Sequence, residues 1–270
     1  MLITSRQNAQ VKQIRSLLIR QHRARAGLFL VEGLQLVTEE AQMGAVVETL
    51  VIAPGLLTEG ARRAVIAVER QGPARRVEVT PEVMESISPR HGGEGVAAVV
   101  RQRWERLNWV DPGDAPCWVA VSRIGQPWSI GTIVRVCAAV GGGGVILIGD
   151  STDPYDPMAV RASLGTIFSQ RLVKASLTDL AVWKQRHGCH VIGTSPAAKA
   201  DYQEIVYAPP VIAFMGSERL GLSPEQQAIC DAMVSIPMPG RCESHHVAVA
   251  TGIVLYEILN QQRGCLRKTG

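Results

Sequence analysis

VIAFMGSERLGL, residues 211–222, is the stretch from which the fold of the second half of the chain can be read. Its first five residues are all apolar. A strand with one solvated face alternates apolar and polar side chains, so an unbroken apolar run predicts a parallel strand buried on both faces. A glycine-punctuated turn, GSERLG at 216–221, follows at once. Its backbone donors therefore stand at the carboxyl end of a strand, where open α/β sheets collect ligands.

Working outward, four more short apolar runs read as buried strands: 118–121, 145–148, 191–193 and 234–236. Helical spacing lies between them over 130–140, 177–186 and 224–231. A long final helix is predicted over 244–262, with Val247, Ala250, Val254 and Ile258 on one face. Two further turns share the position of GSERLG. Residues 127–131 open a helix, and 237–244 (PMPGRCES) lead from a strand into the last helix. Three such turns folded together would make a cofactor pocket.

Upstream, residues 8–22 read as a helix with Val11, Ile14, Leu17 and Leu18 on one side. Strands follow at 28–31, 46–52, 77–79 and 96–100, with helices at 35–43 and 57–70. These alternating elements predict a small α/β domain over 1–100. A charged, then Pro/Gly/Asp-rich linker follows over 101–115, and the parallel-sheet domain fills 116–270.

The net charge of +4 on 270 residues is unevenly spread. Residues 1–110 hold 15 Lys/Arg against 11 Asp/Glu, and the rest of the chain holds 13 of each, so the whole excess lies in the first part. Arg6, Lys12, Arg15, Arg20, Arg23 and Arg25 all precede the first acidic residue, Glu32. Such a cluster suits a polyphosphate partner; a solvated helix face is the plainer alternative. The start of the chain lacks the apolar stretch of a signal peptide, and no run is long enough for a bilayer, so a cytoplasmic protein with no membrane partner is expected. The six cysteines are scattered, which predicts buried, reduced thiols and no metal site.

Several chemistries are excluded. There is no phosphate loop of the G-x-x-x-x-G-K-[ST] kind, no G-x-S-x-G elbow and no H-E-x-x-H helix. The glycine run 141–144 precedes a strand, whereas a dinucleotide fingerprint must follow one.

At the three turns the chain resembles the SpoU/TrmH family of SPOUT RNA methyltransferases. The first block is Ser129-Ile130-Gly131 with Arg135, ending at Gly141. The second is Gly216-Ser217-Glu218-Arg219-Leu220-Gly221-Leu222. The third runs from Ile236-Pro237-Met238-Pro239-Gly240 to Ser244-His245-His246-Val247. Tyr155-Asp156-Pro157 and Arg161-Ala162-Ser163-Leu164-Gly165 share the family's look. The opening ITSRQNAQVKQIRSL and GLFLVEG resembles the RNA-binding accessory domain of its rRNA-modifying members.

The resemblance implies an α/β protein with an N-terminal RNA-binding domain. Its C-terminal SPOUT domain would be a parallel sheet ending in a trefoil knot. It further implies a homodimer, S-adenosylmethionine as cofactor, and methyl transfer to a ribose 2′-hydroxyl, of rRNA rather than tRNA. Catalytic roles would fall to Arg135, Ser129, Glu218, Ser244 and His246. The cofactor would be held by Met215, Gly216, Ser217, Gly221, Ile236, Met238, Gly240, Ser244, His246 and Val247. RNA would meet Arg6, Lys12, Arg15, Arg20, Arg23, Arg25, Arg135 and Arg161.

Arginine is a poor base, since its pKa lies above about 12, so Arg135 is expected to fix phosphate and ribose and to stabilise the developing alkoxide. Ser244 is expected to cap the last helix. Ser129 and His246 stand where the family has asparagine, and Gln126 replaces a frequent aspartate. Two readings stay open. In one, His246 or its neighbour His245 accepts the proton; in the other, the chain binds RNA without methylating it.

Overall fold

The computed structural model describes residues 2–72, 74–88 and 94–268. The expected fold class holds, with a small mixed sheet in the first part and a wholly parallel sheet in the second. The chain forms two compact units. One runs up to Gln102 and also takes in Asp153–Ser169, while the other comprises Arg103–Thr152 and Gln170–Gly270.

The first unit runs β1 (Leu2–Ile3), α1 (Ala9–Ser16), α2 (Arg20–Ala26), β2 (Leu28–Glu32), α3 (Leu34–Met43), β3 (Val47–Ile52), α4 (Glu59–Gln71), β4 (Arg75–Val79), α5 (Pro81–Ile87) and β5 (Val96–Arg101). Its sheet order is β1-β4-β3-β5-β2. β1 and β3 lie parallel to β4, and β5 runs antiparallel to both β3 and β2. Val11, Ile14 and Leu17 pack with Leu30, Val51, Val77 and Met84 into one core.

The single helix predicted over 8–22 is two helices. Asn8 caps α1 by accepting from the Gln10 amide, and Ile19 is extended at the start of α2. The break turns Arg23 inward, where only 1% of it is exposed. Its guanidinium donates to the Leu17 carbonyl at 2.8 Å, to Asp153 at 2.8 Å and to Asp156 at 3.0 Å. The expected RNA contact at Arg23 is therefore corrected: this cation is spent on holding the 153–169 segment to the unit. That segment carries α7 (Pro157–Ala162) and sets Tyr155 and Phe168 against Phe29, at ring separations of 4.6 and 6.3 Å. Removing one partner of a buried ion pair leaves the other charge unpaired. Arg23→Ala is expected to cost about 2–3 kcal/mol, less than for a fully buried pair because both carboxylates are partly wet. Chemical denaturation measures it.

The second unit contains β6 (Cys117–Ser122), α6 (Pro127–Ala139), β7 (Gly144–Ile148), β8 (Arg171–Ala175), α8 (Leu177–His187), β9 (His190–Thr194), β10 (Ala200–Asp201), β11 (Val211–Met215), α9 (Pro224–Ala228), β12 (Ala232–Ser235) and α10 (Val247–Lys268). All its strands are parallel, in the order β10-β12-β9-β11-β6-β7-β8. β11 is central, and every one of its residues is buried, as its unbroken apolar run requires. Helix starts follow side-chain chemistry: Ser176 with Asp179, and Ser223 with Gln226, form reciprocal caps.

β8 and β10 were not expected, and residue 236 lies beyond β12. The last helix begins at Val247, three residues later than predicted. The glycine run 141–144 has a packing role. A Cβ on Gly143 would come within 2.4 Å of the Trp118 indole, which lies in the core under this turn. Cys117, Cys137 and Cys189 are buried, as expected, and burial pushes the Cys117 thiol up to about 12. Cys242 is exposed. Among the described residues no helix is long and apolar enough to cross a membrane, and no group of three or more His, Cys, Asp or Glu is placed to hold a metal.

Candidate active site

β12, β9 and β11 are neighbours in the sheet, and the chain leaves each of them at the same edge. A cavity of about 270 Å³ opens at these carboxyl ends. Thr194, Ser195 and Pro196 line it at and after the end of β9, Met215 to Gly221 at and after β11, and Val234, Ile236 and Met238 at and after β12. Ser244, His245, Val247 and Ala250 complete the wall from the start of α10. Two of the three turns singled out in the sequence thus meet in one cleft, and the third joins it through a side-chain network.

The GSERLG turn is closed on itself. The Ser217 amide donates to the Gly221 carbonyl at 3.2 Å, and the Gly221 amide returns a bond to the Ser217 carbonyl at 2.9 Å. The Leu220 amide donates to the Ser217 hydroxyl at 3.0 Å. The pinch brings Gly221 so close to Gly216 that a Cβ on Gly216 would sit 2.2 Å from the Gly221 carbonyl carbon. From this turn Glu218 reaches α10, where its carboxylate accepts from the Val247 amide at 3.4 Å. A carboxylate there also meets the positive end of the helix dipole.

His246 ties three elements together. Its Nδ1 accepts from the Ala248 amide at 3.2 Å, and its carbonyl accepts from Val249 and Ala250 at 2.9 and 3.0 Å. It is the N-cap of α10, so the capping role expected of Ser244 is corrected; Ser244 is exposed and lines the cavity instead. With Nδ1 accepting, Nε2 carries the hydrogen. Nε2 lies 2.8 Å from the Glu218 carboxylate and 3.1 Å from the Ser129 hydroxyl, which is fully buried. The Trp128 ring stacks on the imidazole at 4.3 Å, with 11° between planes. Both ring nitrogens are thus engaged, which removes His246 as the proton acceptor in this arrangement. Its imidazole supplies an acceptor and a donor as an asparagine amide would. The two departures from the family pattern, Ser129 and His246, touch each other.

His246→Ala is expected to cost about 1–2 kcal/mol through the lost cap, whereas His246→Asn keeps an acceptor at the same place and loses far less. Thermal unfolding of the two variants checks the order.

Of the expected cofactor residues, Met215, Gly216, Ser217, Gly221, Ile236, Met238, Ser244 and Val247 line the cavity; Gly240 and His246 do not. Thr194, Ser195 and Pro196 line the cavity without belonging to any of the three turns; they stand at and just after the end of β9. Arg135 lies exposed on α6 and is not part of the lining. In the first unit Arg6, Lys12, Arg20 and Arg25 are exposed and Arg15 is half-buried; Arg161 is exposed on α7. Arg6 also donates to the Glu82 carbonyl at 3.1 Å.

Residues 116–256 match the SpoU rRNA Methylase family, and residues 8–98 match the MRM3-like substrate binding domain. A 23S rRNA (uridine(2479)-2′-O)-methyltransferase from Streptomyces viridochromogenes is 30% identical over 269 residues, covering 96% of this chain and 92% of the relative. The crystal structure of an AdoMet-bound rRNA methyltransferase from Sinorhizobium meliloti superposes with a TM-score of 0.87 at 32% identity, over 96% of this chain and 97% of that one. The SpoU methyltransferase AviRb from S. viridochromogenes, in complex with AdoMet, gives 0.85 at 29% identity, over 95% and 98%.

Proposed function

The chain belongs to the SpoU rRNA methylase family, and from that premise we propose that it is an S-adenosylmethionine-dependent methyltransferase acting on a ribose 2′-hydroxyl of rRNA. The observation that carries this reading is the cleft at the carboxyl ends of β12, β9 and β11, walled by the GSERLG turn and the start of α10. Its lining fits the cofactor. Met215, Ile236, Met238 and Val247 offer apolar contact for a purine, and the pinched turn presents backbone groups for its polar edge. Glu218, Ser217, Thr194 and Ser195 offer charge and hydroxyls for the amino-acid and ribose parts.

S-adenosylmethionine supplies an electrophilic methyl group on a sulfonium. The residues of this chain must align a ribose oxygen with it and lower the cost of that oxygen's developing charge. Arg135 is assigned to the second task, as a guanidinium fork on the phosphate and the forming alkoxide. Ser129 and His246 hold α6, Glu218 and α10 in register, so that the wall of the cleft and the helix bearing Arg135 keep a fixed relation. The proton acceptor is assigned to His245, which lines the cleft.

Arg6, Lys12, Arg15, Arg20 and Arg25 are assigned to RNA backbone, and so is Arg161 of the same unit. Their affinity should fall steeply with salt, since each neutralised phosphate releases counterions. The homodimer, the knotted path of the C-terminal part and a cytoplasmic setting belong to the same proposal. Nothing in the site favours a chain that has lost catalysis: its two unusual residues are bonded to each other, and His246 is held to Glu218 as well.

The test is transfer of tritium from S-adenosyl-[methyl-³H]methionine to unmodified rRNA. Label in RNA, growing with time, is expected; none in either subunit's RNA would overturn the proposal.

A further inference from the structure

Trp128 has no part in the cavity, yet it stands beside it. The indole is the second residue of α6 and is 40% exposed, whereas Trp118 and Trp183 are buried in the core. One ring face lies flat on His246, whose neighbours in sequence, His245 and Val247, both line the cavity. His246 is itself pinned by Glu218 and by the Ala248 amide, so the indole is backed by a fixed plane. Thr132 and Arg135 lie four and seven residues after Trp128 in α6, and these spacings share one helix face. Arg135 is exposed, about 10 Å along the axis from Trp128 by helical rise. An exposed indole and an exposed guanidinium on one face match the chemistry of single-stranded nucleic acid, with a π-face for a base and a cation for phosphate.

We propose that Trp128 is the stacking platform for an unpaired RNA base beside the nucleotide being modified. This rests on the RNA substrate proposed above. It deepens that reading by naming the substrate class: a loop, bulge or single strand. Bases within a duplex are stacked on each other and cannot lie on the ring. The His246 stack fixes the indole before RNA arrives, which lowers the ordering cost of binding.

The test uses an RNA hairpin carrying 2-aminopurine in its loop, with the same sequence held in a duplex as control. Wild-type protein should bind the hairpin and quench the probe. Trp128→Leu should weaken hairpin binding about 5- to 100-fold and lose the quenching, while Trp128→Phe keeps much of both. Duplex binding and calorimetric affinity for S-adenosylmethionine should be unchanged in both variants, and KM for RNA should rise in Trp128→Leu with less change in kcat. Wild-type affinity and quenching in Trp128→Leu would overturn the proposal. So would a changed sedimentation coefficient with RNA affinity intact, which would mean that a second copy of the chain covers the ring. The binding arm needs no methyl transfer. A wild-type protein that quenches the probe but transfers no label would therefore sink the enzymatic reading and leave the platform standing.

Discussion

Gly216→Ala is expected to abolish measurable binding of S-adenosylmethionine, a loss of at least about 100-fold, in a protein that still folds. The added Cβ would lie 2.2 Å from the Gly221 carbonyl carbon, 2.4 Å from its oxygen and 2.5 Å from the Leu222 nitrogen. All three are backbone atoms, so no rotamer change relieves the clash. The Ser217–Gly221 pair must open, and with it the turn that walls the cleft. Gly221→Ala is the internal control. Its φ of +63° disfavours a side chain, but nothing lies within 4 Å of the position. The cost there is left-handed strain alone, about 1–2 kcal/mol. Calorimetry should rank the variants as wild type, then Gly221→Ala, then Gly216→Ala. Equal affinities for the two variants would mean that the turn is not the wall of a cofactor site.

Arg135→Ala is expected to lower the rate of methyl transfer by about 10²–10³-fold, the usual result of removing one group aimed at developing negative charge. Affinity for S-adenosylmethionine should stay within about twofold, because Arg135 does not line the cavity. Arg135→Lys should recover only part of the rate, since an ammonium cannot grip phosphate and alkoxide as a planar fork does. Single-turnover rates with saturating cofactor separate these effects from binding. A full loss of cofactor affinity in Arg135→Ala would place the arginine in the cleft instead.

The parallel sheet is legible wherever a strand has an unbroken apolar centre, as in β6, β7, β9 and β11. β8 hid behind its charges. Lys174 lies over the Trp104 ring at 3.8 Å and Arg171 over Trp118 at 4.8 Å, so each cation is accommodated on an aromatic face, which residue type alone does not reveal. The break between α1 and α2 was equally hidden. The apolar stripe runs on to Leu18, and the turn at Ile19 serves an ion pair between Arg23 and residues more than a hundred positions away. The same pair explains why Asp153–Ser169 joins the first unit, a link that no local pattern carries.

In the site, the rule that ligands gather at strand ends located the GSERLG turn and the approach to α10. Applied to β9 it would also have found Thr194 and Ser195. The capping of α10 was misread because a serine two residues upstream is the stronger start signal in sequence. The histidine wins because Glu218, Ser129 and Trp128 hold its ring in place.

Alkaline hydrolysis of labelled rRNA shows whether the methyl donor is held against a ribose oxygen. A 2′-O-methyl group removes the neighbouring hydroxyl that alkali needs to cleave the chain, so label on ribose survives as a dinucleotide. Tritium is expected in alkali-resistant dinucleotides from one position, lost with Arg135→Ala. Tritium released wholly as mononucleotides, with the methyl on a base, would contradict it.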